Sequence, residues 1–173
     1  PPPMTLRVNL KEITREDYRK LLNKSNIENT IDELTPTGLR LTKPIDVSLL
    51  PKFEQGFVSV QDIGAQLAAN LIRAQPNMRI LDACCAPGGK IAHFGEANEK
   101  SKLLGIDKNE ERLKKVNNNL LRLNIQAKLI CIDANKIKDW WDGIPFERIL
   151  LDAPCSGSGI ISHHPDIKLL RTK

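Results

Sequence analysis

The sequence has no C-x-x-C pair, no apolar run near the ~20 residues of a membrane-spanning helix, and few aromatics. Aromatic residues fill 4% of its 173 positions, and nothing resembles the RNP-type pattern on which single-stranded RNA bases stack. Phe53 and Phe57 therefore read as core residues rather than base platforms. The four cysteines stand at 84, 85, 131 and 155. None has zinc spacing, and the adjacent pair argues against a disulfide framework and for a reducing compartment. His163 and His164 have no acid or cysteine at ligand spacing, so no metal site is expected. No cationic start followed by an apolar stretch reads as a signal peptide. The expectation is a cytoplasmic monomer with no membrane contact. The net charge is +5, of which +1 precedes Pro76 and +4 follows from it. That excess is compatible with nucleic acid but too small to argue for it. Most charged positions read as solvated surface.

The 173 residues are enough for one large domain or two small ones, and a hydrophobic content of 40% is ordinary for a soluble globular protein. Leu6, Val8 and Leu10 alternate with polar residues and predict a half-buried strand. Thr14 predicts a helix start, with Asp17 closing an approximate capping box. Tyr18, Leu21 and Leu22 give that helix its apolar face. Leu39 and Leu41 predict a second strand, and Phe57, Val58 and Val60 a third. Asp62 is placed to cap a helix carrying Ile63, Leu67, Leu71 and Ile72. The expected organisation is a small α+β subdomain over 1–56, a linking strand and helix over 57–77, and a larger unit over 78–173.

From Met78 the pattern becomes regular: apolar strands over 78–83, 102–106, 129–132 and 148–151 alternate with helical stretches. Leu113, Val116, Leu120 and Leu123 form a helical stripe, with Lys114, Lys115 and Arg122 off it. Alternating strands and helices predict an α/β fold with a parallel, doubly wound sheet. Between the first strand and its helix lies Leu81-Asp82-Ala83-Cys84-Cys85-Ala86-Pro87-Gly88-Gly89-Lys90. Glycine lets a ligand approach bare backbone, and the helix start offers unpaired N–H groups to an anion. Asp107, Asp133 and Asp152 each follow an apolar strand, so all three fall on the ligand-binding edge of a parallel sheet. Asp107 lies 18 residues beyond Gly89. That is near the ~20-residue offset of an acid that binds a ribose. An adenosine-bearing cofactor is implied, and both NAD and S-adenosylmethionine fit. The absence of G-x-G-x-x-G weighs against NAD.

Leu150-Leu151-Asp152-Ala153-Pro154-Cys155-Ser156-Gly157-Ser158-Gly159 adds a second motif. With 84–90, Asp107, Arg112-Leu113, Asp133 and His164-Pro165-Asp166-Ile167-Lys168, the chain resembles the RNA cytosine-5 methyltransferases, most closely the RsmB/Sun (Fmu) group. Leu6-Arg7-Val8-Asn9 and Val60-Gln61-Asp62 are similar to the region preceding that group's catalytic domain. The resemblance implies a Rossmann-like S-adenosylmethionine-dependent methyltransferase fold preceded by a small α+β RNA-binding subdomain, acting on C5 of a cytosine in 16S ribosomal RNA. It implies cofactor binding by Cys84, Cys85, Ala86, Pro87, Gly88, Gly89, Lys90, Asp107, Arg112, Asp133 and Asp152, with Asp107 at the ribose and Asp133 beside the adenine. Asp152 and Lys90 become catalytic candidates. Cys155 becomes an auxiliary group that assists product release.

In that family the nucleophile sits in a later Thr-Cys-Ser motif, which does not occur here, and a NusB-like domain precedes the catalytic part. The expectation is an internal fragment of a longer enzyme that lacks its C-terminal strands and does not turn over alone. Two other readings are weighed. An exocyclic-amine methyltransferase or other adenosine-cofactor enzyme is the first, but Asp152-Ala153-Pro154-Cys155 lacks the second proline and the aromatic of Asn/Asp-Pro-Pro-Tyr. A non-catalytic RNA-binding module is the second.

Overall fold

Strand β1 (Thr5–Val8) runs through the centre of the first sheet. The computed structural model of the protein describes residues 4–153. Helix α1 (Arg15–Lys24) starts at Thr14, whose hydroxyl accepts the Asp17 amide at 3.1 Å. Strands β2 (Asn29–Ile31), β3 (Gly38–Leu41) and β4 (Val58–Val60) complete an antiparallel sheet of order β2-β3-β1-β4. Leu6, Val8, Tyr18, Leu22, Leu39, Leu41 and Val58 form the core that seats α1 on this sheet. β2 left no trace in the apolar pattern. It is three residues long and is recruited by pairing with β3.

The expectation of a half-buried β1 is corrected: all four of its residues are buried. One face meets α1. The other carries Thr5 and Arg7 and packs against the second half of the chain. Arg7 is 0% exposed and ion-pairs with Glu96, whose side chain is 4% exposed. Gln66 is equally enclosed, accepting from Thr35 and Thr37 and donating to the carbonyls of Leu6 and Gln61. A polar face can be buried because nearly every group finds a partner. Arg122, read as lying off the apolar stripe, also turns inward. Its guanidinium donates to the carbonyls of Phe53 and Val58 and stacks 4.2 Å from the Phe53 ring centre.

Helix α2 (Ile63–Ile72) follows β4, with Asp62 at its N-cap position but making no side-chain cap bond. Then come β5 (Arg79–Asp82), α3 (Gly89–Ala97), β6 (Lys102–Asp107), α4 (Glu110–Arg122), β7 (Lys128–Cys131), α5 (Ile137–Trp140) and β8 (Arg148–Leu150). The four strands are parallel in the order β7-β6-β5-β8. This is the expected α/β architecture. Leu113, Val116 and Leu120 of α4 pack with Ile91 and Phe94 of α3 and Ala69 and Ile72 of α2 over one face. Leu81, Ala83 and Ile106 face the other way, toward Trp140 and Phe146. Asn109 caps α4 by accepting the Arg112 amide at 2.9 Å, with Glu110 and Glu111 in the first turn. Among the described residues no helix is long and apolar enough to cross a membrane.

The strand order places the functional edge. From β5 the chain steps to β6 and β7 on one side, then returns to β8 on the other. At such a reversal the connections leave in opposite directions and a crevice opens at the strand C-termini.

Candidate functional site

The crevice between the ends of β5 and β8 is a groove of about 300 Å³, lined by Val60, Gln61, Asp62, Ala65, Asp82, Cys84, Cys85, Ala86, Pro87, Gly89, Lys90 and Asp152. One wall is the glycine turn. The opposite wall comes from the end of β4 and the start of α2. The turn itself needs glycine at 88. Gly88 has φ +101, and a Cβ there would lie 3.1 Å from Val116 Cγ1 and 3.2 Å from Val116 Cα. Its amide donates to the Cys85 carbonyl at 2.7 Å, and its carbonyl accepts the Ala92 amide as α3 begins.

Lys90 Nζ donates to Asp152 Oδ2 at 2.5 Å, closing the reversal point with an ion pair. Asp82 also lines the groove; it is only 2% exposed, and among the described residues neither carboxylate oxygen has a hydrogen-bond partner. Burial raises its pKa to about 7; the Cys84 amide and the Lys90 charge pull down, while Asp152 and Asp107 add to the rise. Asp82 is the residue that the strand-end reading missed. A fourth acid closing an apolar strand, directly before the glycine turn, was the available signal. Nothing in the sequence marked Ala65 as a wall of the groove.

Asp107 is 5% exposed and works inside the protein: Oδ2 accepts the Ala86 amide at 3.3 Å and Oδ1 the Asn109 amide at 3.0 Å. Arg112 approaches Asp107 at 3.6 Å and donates to the Ala86 carbonyl at 2.7 Å. These two hold the turn from behind. Asp133 accepts the Asn135 amide at 2.9 Å in the turn after β7, outside the groove. Cys85 lines the groove, yet its thiol is buried: a Cβ on Gly105 would meet its Sγ at 3.0 Å. Burial, with Asp82 and Asp107 nearby, pushes that thiol up to about 12. Cys84 is half-buried, and burial with Asp107, Asp82 and Asp152 raises it too. Both thiols of the turn stay protonated at neutral pH, which suits packing and not nucleophilic attack. Cys155, His163, His164 and the 164–168 stretch lie outside the described residues.

Comparison with known proteins agrees with this fold. Residues 69–173 match the family described as 16S rRNA methyltransferase RsmB/F, and residues 1–48 match an RsmF/B-like, ferredoxin-like domain. The ribosomal RNA small subunit methyltransferase B of Vibrio vulnificus is 50% identical over 169 residues, covering 98% of this chain and 40% of that protein. The chain thus spans about 40% of the length of the curated relatives it matches. A solved methyltransferase homolog from Pyrococcus horikoshii is 29% identical with a TM-score of 0.82, over 98% of this chain and 56% of that one. The crystal structure of PH0851 aligns with a TM-score of 0.92 at 26% identity, over 99% and 39%. With more than half of its length matched by the catalytic-domain family model, the chain belongs to the 16S rRNA methyltransferase RsmB/F family.

Proposed function

We propose that the protein transfers a methyl group from S-adenosylmethionine to C5 of a cytosine in 16S ribosomal RNA, in the cytoplasm, with the leading module as an RNA-contacting part. The carrying observation is the groove at the reversal point, where the glycine turn, the Lys90–Asp152 pair and the buried Asp82 converge. The donor set fits such a cofactor. The α3 N-terminus and Lys90 suit a carboxylate, and the Asp82 carboxyl in the groove lining suits an ammonium or hydroxyl. When bound, the cofactor supplies an electrophilic methyl group.

Cytosine C5 is a poor nucleophile. The resemblance assigns the thiolate that adds to C6 to a Thr-Cys-Ser motif that does not occur in this chain; the addition makes C5 an enamine-like carbon that takes the methyl group, a base then removes the C5 proton, and the thiolate leaves. Asp152 is exposed at the groove, where it can accept from the cytosine edge. Lys90 is placed to balance charge that builds on the ring. Cys155 is proposed as the auxiliary group in product release. The target base must leave any stack to reach the groove.

The test uses the full-length protein, unmethylated 16S rRNA and methyl-labelled S-adenosylmethionine. The expected result is label recovered as 5-methylcytosine. Label on an exocyclic amine, or none, would overturn the reading. RNA containing 5-fluorocytosine traps the covalent adduct, and an adduct at Cys155 would overturn its auxiliary role.

A further inference from the structure

The groove has walls from two sheets, and one buried side chain touches both. Arg7, in the middle of β1, uses all five of its N–H donors. Nε donates to Glu96 Oε2 at 2.8 Å and Nη2 to Glu96 Oε1 at 2.6 Å. Nη2 also reaches Ser59 Oγ at 3.5 Å. Nη1 donates to Gln61 Oε1 and to the Gly89 carbonyl, both at 2.6 Å. Gln61 belongs to the first wall and Gly89 to the second, and both line the groove. Glu96 fixes the guanidinium plane through a two-bond fork, which leaves Nη1 aimed at the two walls. Gly89 is the first residue of α3, and Lys90, next in the chain, holds Asp152. A shift of the Gly89 carbonyl therefore moves the turn and Lys90 together.

We infer that Arg7 is a positioning residue for the cofactor site: clamped by Glu96, it sets the spacing between the Gln61 wall and the glycine turn. The leading module then contributes to cofactor affinity as well as to fold, through a side chain that no ligand touches. This rests on the proposed cofactor. A plain domain fastener would need only the Glu96 pair. The two Nη1 bonds to opposite walls are what a fastener does not require.

Three variants separate the two roles. Arg7→Met/Glu96→Met removes both charges together, so neither is left buried and unpaired. Arg7→Lys keeps a charge beside Glu96 but loses the planar guanidinium whose Nη1 bonds both walls. Leu22→Ala opens the core beneath α1, away from the groove, and serves as the stability control. S-adenosylmethionine affinity by calorimetry is read beside thermal unfolding. The clamp predicts that both Arg7 variants bind the cofactor about tenfold more weakly. Leu22→Ala, though less stable, should bind it like the parent. Parent-like affinity in a folded Arg7 variant, or equal weakening in Leu22→Ala, overturns the inference. If the double variant does not fold, Arg7→Lys decides alone. If the parent protein takes no S-adenosylmethionine, the proposed function falls. Amide exchange over residues 89–91 then decides the clamp: faster exchange in Arg7→Lys but not in Leu22→Ala sustains it, and unchanged exchange ends it.

Discussion

Lys90 Nζ and Asp152 Oδ2 meet at 2.5 Å, so an ion pair ties the first turn of α3 to the chain just past β8. The side chains are 27% and 56% exposed, so solvent screens them. A pair this wet adds at most ~1 kcal/mol to stability. Its place at the reversal point argues for chemistry instead. Lys90→Met and Asp152→Asn are each expected to leave thermal unfolding nearly unchanged while slowing methyl transfer about 100-fold. Full activity with a large loss of Tm would show the pair to be a strut.

Asp82 gives the site a pH dependence whose sign follows from burial. Its native pKa is about 7, whereas an unfolded chain ionises such a group near ~3.9. Between those values the native protein holds a proton that the unfolded chain has lost. Stability from this group is therefore greatest in acid and falls as pH rises to about 7, above which the loss is complete. The full loss is on the order of 4 kcal/mol, roughly three units at about 1.4 kcal/mol each. Asp82→Asn should thus be more stable than the parent at pH 8 and equal to it near pH 4. Denaturant unfolding at both values checks this. The same offset at both would sink the assignment.

The parallel sheet was legible because its strands are apolar runs closed by acids, and α4 because Leu113, Val116 and Leu120 keep a helical period. The glycine turn was legible because position 88 admits no Cβ. The joint between the two sheets was not. Most charged positions read as solvated surface, and Arg122 as lying off the apolar stripe, since charge in a sequence carries no sign of a partner 89 positions away, the separation of Arg7 from Glu96. Asp107 was legible as a strand-end acid. That its oxygens brace the turn depends on the Ala86 and Asn109 amides being aimed at it, which only the fold arranges.

Glycines at 88 and 64 should respond in opposite directions to alanine. At Gly88 the new Cβ meets Val116 backbone at 3.2 Å with φ +101, so Gly88→Ala is expected to lose ~2 kcal/mol or more and to weaken cofactor binding. At Gly64, inside α2, a Cβ has none of the described residues' other atoms within 4 Å. Gly64→Ala should gain about 0.5 kcal/mol by stiffening the unfolded chain. Thermal unfolding of the two variants reads both signs. A neutral Gly88→Ala would mean the turn relaxes away from α4.

Asp107 should matter twice, and its variants can show it. The carboxylate accepts two backbone amides, those of Ala86 and Asn109, in a site that is 5% exposed. Asp107→Ala removes the acceptor of both; the buried Ala86 amide is orphaned at a cost of ~1–3 kcal/mol, while the Asn109 amide, on an exposed residue, turns to water. The glycine turn also loses its support from behind, so cofactor binding should vanish along with stability. Asp107→Asn keeps one acceptor oxygen and should fall between the two. Unfolding by denaturant reads the first effect and calorimetric titration with S-adenosylmethionine the second. Lost binding at unchanged stability would leave Asp107 as a ligand contact alone. Lost stability with intact binding would make it a brace that the cofactor never meets.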